Sequence, residues 1–301
     1  MSRRGWALFA AMCVIWGIPY LLIKVAVGEL TPASLVFART ALAALLLLPL
    51  AAARGELRAL LPHWRPMLVY TAVELAVPWY LLSAAEQRLS SSLTGLLIAA
   101  VPLVGAVLAR LAGDHEPLGL RRLAGLIIGL AGVAALVGLD LGAANLVALV
   151  QVTVVVVGYA LGPLILTRNL SGLPGLAVVA VSLGLTALVY APLGLAQLPS
   201  RPAGGRVVIA VLVLAVVCTA VAFLLFFRLI AEVGPVRATV ITYVNPAVAI
   251  GLGVILLGEP FTVGIAVGFV LVLTGSVLAT RRAPAPGRRR EEPQLVPVAE
   301  P

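Results

Sequence analysis

The sequence predicts an all-α integral membrane protein whose ten transmembrane helices form two inverted five-helix repeats. Three observations predict it. The 301-residue chain is 62% hydrophobic and only 11% charged, against roughly 25% charged in an ordinary soluble domain. A soluble fold could not keep that much apolar surface from water. Apolar runs of the length a bilayer demands, about 20 residues, recur ten times along the chain. A stretch of the first half then matches one of the second at a shift of about 144 residues.

Taken in order, the first run is 5–28, behind Arg3 and Arg4. It is too long for the apolar part of a signal peptide and has no small-x-small cleavage site, so it reads as a retained helix. Runs at 33–53, 66–86, 90–111 and 119–139 complete the first repeat, residues 1–142. Runs at 146–168, 173–197, 206–230, 235–257 and 260–280 make the second, residues 143–282. The connectors are short and rich in Pro, Gly and charge, such as "ARGELRALLPHWRP" and "AGDHEPLGLRR". Residues 283–301 have too little apolar content to pack and read as a disordered cytoplasmic tail.

The net charge of +9 does not point to nucleic acid, because no basic patch interleaved with aromatics is present. It marks topology instead. With the N-terminus cytoplasmic, sixteen Lys and Arg residues fall on that side and five on the other. Both termini are therefore expected inside, in a multi-pass protein of the cytoplasmic (inner) membrane. Cys13 and Cys218 lie inside apolar runs without metal-site spacing, so no disulfide framework, metal or cofactor is expected.

The repeat sets Pro102 on Pro246, Glu116-Pro117 on Glu259-Pro260, and Gly125 and Gly132 on Gly268 and Gly275. Each half holds five helices, an odd number, so the halves must insert in opposite senses, as in carriers that rock about a central site. The run "WGIPYLLIKVAV", the following "TPASLVFARTALAALLLLPL", the "P…GE-P" ends of helices 4 and 9 and the five-plus-five order resemble the drug/metabolite transporter superfamily, and within it the EamA-type exporters. The resemblance covers residues 5–280. It implies a small-metabolite carrier with helices 1, 3, 4, 6, 8 and 9 around a central cavity. "GDHEP" departs from the usual "GE" ending, because Asp114 and His115 intervene.

Charged side chains at a helix centre are costly and usually functional. Glu74, in "VYTAVELAVPWY", lies about eight residues into helix 3, roughly 12 Å from the cytoplasmic edge. It reads as a cavity carboxylate for a substrate amine or a proton; a carboxylate tied to a neighbouring hydroxyl is the structural alternative. Asn245-Pro246 breaks helix 9, where the Asn amide either holds ligand or mends the break. Pro102 breaks helix 4 likewise, and Pro19 and Pro163 are the matching helix breaks in helices 1 and 6. Trp16, Tyr20 and Lys24 are spaced to share one helix face, and with Tyr243 the two aromatics complete the candidate cavity set. Lys24, the only lysine, falls on Arg168 at the repeat shift. One then lies near the outer rim and the other near the inner rim. They read either as interface anchors or as gating charges, each pairing with an acid or a substrate carboxylate as its side closes. Arg39 lies near the outer edge by depth. The glycines of helices 5 and 10 permit close helix approach.

The expected function is a secondary active transporter exporting small metabolites such as amino acids by alternating access. Protons are a hypothetical coupling partner, the lipid bilayer is the environment, and monomer or homodimer stays open. A sugar-phosphate or nucleotide-sugar carrier would want several cations converging on the cavity. A non-transporting receptor or assembly subunit would favour a sizeable extramembrane domain, which the sequence lacks. No HExxH, nucleophile elbow or Gly-rich phosphate loop argues for an enzyme.

Overall fold

A computed structural model of the chain describes residues 2–111, 120–140, 146–234 and 238–280. In chain order its long helices are α1 (Arg3–Ala26), α2 (Pro32–Ala53), α3 (Glu56–Glu86), α4 (Ser91–Leu108), α5 (Leu120–Asp140), α6 (Leu146–Asn169), α7 (Gly175–Ala196), α8 (Gly205–Val233), α9 (Val240–Leu257) and α10 (Val263–Thr280). Among the described residues nine are long and apolar enough to cross a membrane, and α5 is a 21-residue helix between the fourth and fifth of these. The "GDHEP" loop and the tail from residue 283 lie outside the described residues.

Local chemistry starts these helices where the sequence allows. Ser2, Thr31 and Ser90 each accept a backbone N–H of the following turn, from Gly5, Ser34 and Leu93, which satisfies an otherwise orphaned donor. Pro32 occupies the first turn of α2, where its missing N–H costs nothing. The stretch expected as a connector is itself helical and opens α3: Glu56–His63 forms a 3-10 helix that buries Leu60 and leaves Leu61 exposed.

Every large contact joins a helix of the first half to one of the second: α2 with α7, α5 with α10, α3 with α6, α4 with α9 and α1 with α8. The α5–α10 seam is built on glycine. A Cβ on Gly125 would meet the Ala279 backbone nitrogen at 2.5 Å, and one on Gly132 would meet that of Val272 at 2.7 Å. These glycines serve packing within the fold, bringing backbones into direct contact. Large apolar side chains such as Leu45, Leu130 and Ile255 stay exposed on the outside of the bundle, where lipid is their natural solvent.

Several helices are interrupted. α1 loses its regular turn at Trp16–Ile18 before Pro19, and α4 at Ala99 and Ala100 before Pro102. α9 begins as a 3-10 helix, Thr239–Tyr243, and becomes α-helical at Asn245-Pro246. Pro163, expected to break its helix, does not: α6 is continuous through it. A single missing N–H leaves only the carbonyl one turn back without its bond, and the rest of this 24-residue helix carries on. α3 and α8 each widen into a π-helical turn, Thr71–Ala76 and Val216–Val221.

Candidate central site

Glu74 lies within the π-helical turn of α3, a distortion that recurs at functional sites. Its side chain is half-buried, and its Oε2 is shielded without any hydrogen-bond partner. That oxygen rests against Gly162 of α6, at the place where a Cβ would have to sit. Tyr159, one turn before Gly162, stands in electrostatic reach of Glu74 on one side and of Tyr20 and Arg39 on the other.

Arg39 of α2 forms the opposite pole. It is 7% exposed. Its guanidinium lies flat over the Trp79 ring, 3.8 Å from the centroid, and its Nε donates to Thr219 Oγ1 at 3.0 Å. Thr219 belongs to the π-helical turn of α8, and its hydroxyl donates in turn to the Leu214 carbonyl at 2.7 Å. The depth argument that left Arg39 near the rim therefore misplaces its charge. A long side chain can carry its head several ångströms from its own Cα, and here it reaches inward.

At one end of the bundle, two charges clamp the turn between α3 and α4. Lys24 Nζ donates to the carbonyls of Glu86 (2.6 Å) and Leu89 (2.7 Å), the C-terminal end of α3. Its hydrogen-bond partners are these backbone carbonyls, with the Glu86 carboxyl in electrostatic reach. Cations are stabilised at a helix C-terminus by the orphaned carbonyls and the dipole. Glu259 does the converse at the N-terminus of α4, accepting from Ser91 N (2.7 Å), Ser92 N (2.9 Å) and Ser92 Oγ (2.5 Å). Burial pushes the Glu259 carboxyl up, but the hydrogen bonds from Ser92 and Ser91 outweigh it and hold the group below the ordinary carboxylate range. Gly258, at φ +66°, supplies the left-handed residue that turns the chain off α9 and aims Glu259 back at α4. At the same end Glu29 accepts from Gly204 N at 2.7 Å, and the carboxylate of Glu86 is fully buried with neither oxygen bonded.

The other expected residues scatter. Trp16 packs edge-on against Phe223 and tilted over Phe226 of α8, at 5.8 and 4.7 Å between centroids. Tyr20 points at α4, where a Cβ on Gly95 would meet its ring at 3.3 Å. The break before Pro19 separates Trp16, which packs on α8, from Tyr20 and Lys24, which stay one turn apart on the continuous segment Pro19–Ala26 and reach α4 and the end of α3. The Asn245 amide nitrogen, in the orientation its neighbours require, donates to the carbonyls of Cys13 (3.1 Å) and Ile241 (3.0 Å). It mends the break in α9 and ties it to α1. Tyr243 turns away from Glu74: its hydroxyl bonds Thr280 Oγ1 at 2.5 Å, and its ring lines a shallow groove with Leu273, Thr274 and Val277 of α10. Arg168 is exposed in the last turn of α6.

Sequence comparison adds the family context. The model of the EamA-like transporter family matches residues 3–138 and again residues 146–281. "Uncharacterized inner membrane transporter YedA" of Escherichia coli strain K12 is 29% identical over 261 residues, covering 84% of this chain and 82% of that protein. "Uncharacterized transporter YvbV" of Bacillus subtilis strain 168 is 23% identical over 287 residues, covering 94% of each. A solved structure described only as "Crystal structure of protein" shares the fold, with a TM-score of 0.65 at 20% identity over 92% of this chain and 96% of that one.

Proposed function

We propose, from the premise that this chain belongs to the EamA-like transporter family over both of its halves, that it is a secondary carrier exporting small metabolites such as amino acids by alternating access. The observation that carries the reading is Glu74: a carboxylate on a widened turn, one oxygen unbonded, held against a glycine backbone in the middle of the bundle. Acids in such surroundings line substrate or proton paths by default. A substrate ammonium is one partner for Glu74, and a proton is the other.

The topology proposed is ten crossings, α5 being the tenth, with both termini cytoplasmic by the arginine bias. The clamped end with Lys24 and Glu259 is then the outer face. The two halves are taken as inverted repeats. The contact pattern supports this, since exchanging the halves returns the same set of helix pairs. So does the spacing of the two π-helical turns, which lie 145 positions apart. In this conformation the outer halves of α4 and α9, and of α1 and α8, pack closely. Arg168, the repeat counterpart of Lys24, is proposed to serve the inner face when the carrier turns over.

The proposed gating runs through packed helix ends, and the central residues bind. A sugar-phosphate reading gains something from Arg39, but one guanidinium with an acid nearby suits a dianion poorly. The test is a whole-cell efflux and tolerance screen over amino acids and toxic metabolites, comparing the wild type with Glu74→Gln. Expression of the wild type should raise tolerance to at least one compound, and Glu74→Gln should abolish that gain. No substrate-specific difference across a broad panel would sink the export reading.

A further inference from the structure

We infer that Arg39 is a carboxylate-binding residue of the central site, so that the ligand carries a single carboxylate at the end opposite Glu74. The inference rests on the carrier reading and deepens it.

A buried guanidinium is tolerated only when its charge and its N–H groups are met. Arg39 has five N–H donors, and among the described residues only Nε is bonded, to Thr219. Its terminal amino groups have no hydrogen-bond partner among the described residues and, unlike the oxygens of Glu86, are not fully shielded, so they open on accessible space although the residue is only 7% exposed. Among the described residues no carboxylate comes within ion-pair distance of it. Glu86 is in electrostatic reach, but both of its own oxygens are unbonded, so it does not engage the fork.

The side chain is nevertheless held firmly. Trp79 stacks on one face of the guanidinium and Thr219 fixes Nε, which leaves the Nη edge presented in one orientation. That planar, two-pronged edge is the geometry that matches a carboxylate in a bidentate pair. Tyr20 and Tyr159, both partly exposed, flank it.

The order along α3 narrows the ligand further. Trp79, beneath the guanidinium, lies more than one turn beyond Glu74 on the same helix, so a ligand that meets both residues carries its carboxylate and its ammonium at separate ends. A phosphate monoester carries two negative charges, and with one cation here and Glu74 at the other pole it is disfavoured.

The test uses the full-length protein in nanodiscs, titrated calorimetrically with leucine, phenylalanine and benzoate, with the primary amide of each, and with phosphoserine. At least one acid should bind tenfold or more tightly than its amide. Arg39→Lys, which keeps the charge and loses the fork, should reduce that preference, and Arg39→Gln, which loses both, should abolish it. Acids and amides binding alike to the wild type, no acid binding, a preference that survives Arg39→Gln, or phosphoserine binding tightest would each overturn the assignment. The wild-type comparison stands even if a variant does not fold. Loss of acid preference with efflux still dependent on Glu74 removes the carboxylate site and leaves the carrier.

Discussion

Glu259→Gln should unlatch the outer face. The carboxylate takes three hydrogen bonds from the first turn of α4, two from backbone N–H groups and one from the Ser92 hydroxyl. An amide keeps one acceptor oxygen and turns an NH₂ toward donors. It also removes a negative charge from a helix N-terminus, worth about 0.3–1 kcal/mol. Bonds to a charged acceptor are roughly twice as strong as neutral ones, so their weakening adds about 1–2 kcal/mol. Discounted for partial exposure, the loss is about 2 kcal/mol, or roughly thirtyfold in the balance between closed and open outer faces. Cys218, 2% exposed and next to Thr219, is a native reporter. In a Cys13→Ser background its alkylation by a membrane-impermeant reagent added outside should accelerate about thirtyfold in Glu259→Gln. The pH dependence has a defined sign. The latched carboxyl titrates below its free value, so the latch is complete above about pH 4.3 and is lost as external pH falls through the lowered value. Acid slows thiolate alkylation in both proteins alike, so the ratio of the Glu259→Gln rate to the wild-type rate should fall toward one as the external pH drops. An unchanged labelling rate at neutral pH would refute the latch.

Two other substitutions test neighbouring parts of the argument. Gly162→Ala places a methyl where the Glu74 carboxylate now rests, so export should fall at least tenfold while the protein still inserts; full activity in the efflux assay would separate Glu74 from transport. Lys24→Met keeps the apolar stem but strands two carbonyls at the end of α3, costing about 1–3 kcal/mol. The thermal unfolding midpoint should drop and Cys218 labelling should rise; neither changing would reduce Lys24 to an interface anchor.

The spans and their order were legible because bilayer length and hydropathy are properties of the chain alone. Apart from the 3-10 turns Glu56–His63 that open α3, ten runs read from the sequence correspond to ten helices within a few residues, and among the described residues nine of them are long and apolar enough to cross a membrane. Glu74 stood out in the same way, as an acid inside an apolar run. What a depth ruler cannot give is the direction of a long side chain. It set Arg39 at the rim, although an arginine inside an apolar run was itself the available signal. Periodicity does not carry across a break: Trp16 lies at the start of the interruption at residues 16–18, and Tyr20 and Lys24 after it on one continuous segment. Glu259 was visible only as part of a motif, because its role depends on α4, some 168 residues away in sequence.

The two π-helical turns, 145 positions apart, carry an acid in one half and the partner of a cation in the other. A widened turn rotates the residues after it and strands a carbonyl, which some side chain or neighbour must satisfy. In α8 the Thr219 hydroxyl does so through Leu214, and its remaining acceptor capacity is what holds Arg39. In α3 the matching turn carries Glu74, and Thr71 spends its hydroxyl on Ser182 of α7 instead. The repeat shift sets Glu74 on Cys218, one residue before Thr219. The same distortion therefore presents an acid in one half and, in the other, a hydroxyl that positions a base from α2. On the proposed inverted repeat, unlike residues on equivalent turns would make the site dipolar, which is what the acid-against-amide titration of Arg39 tests.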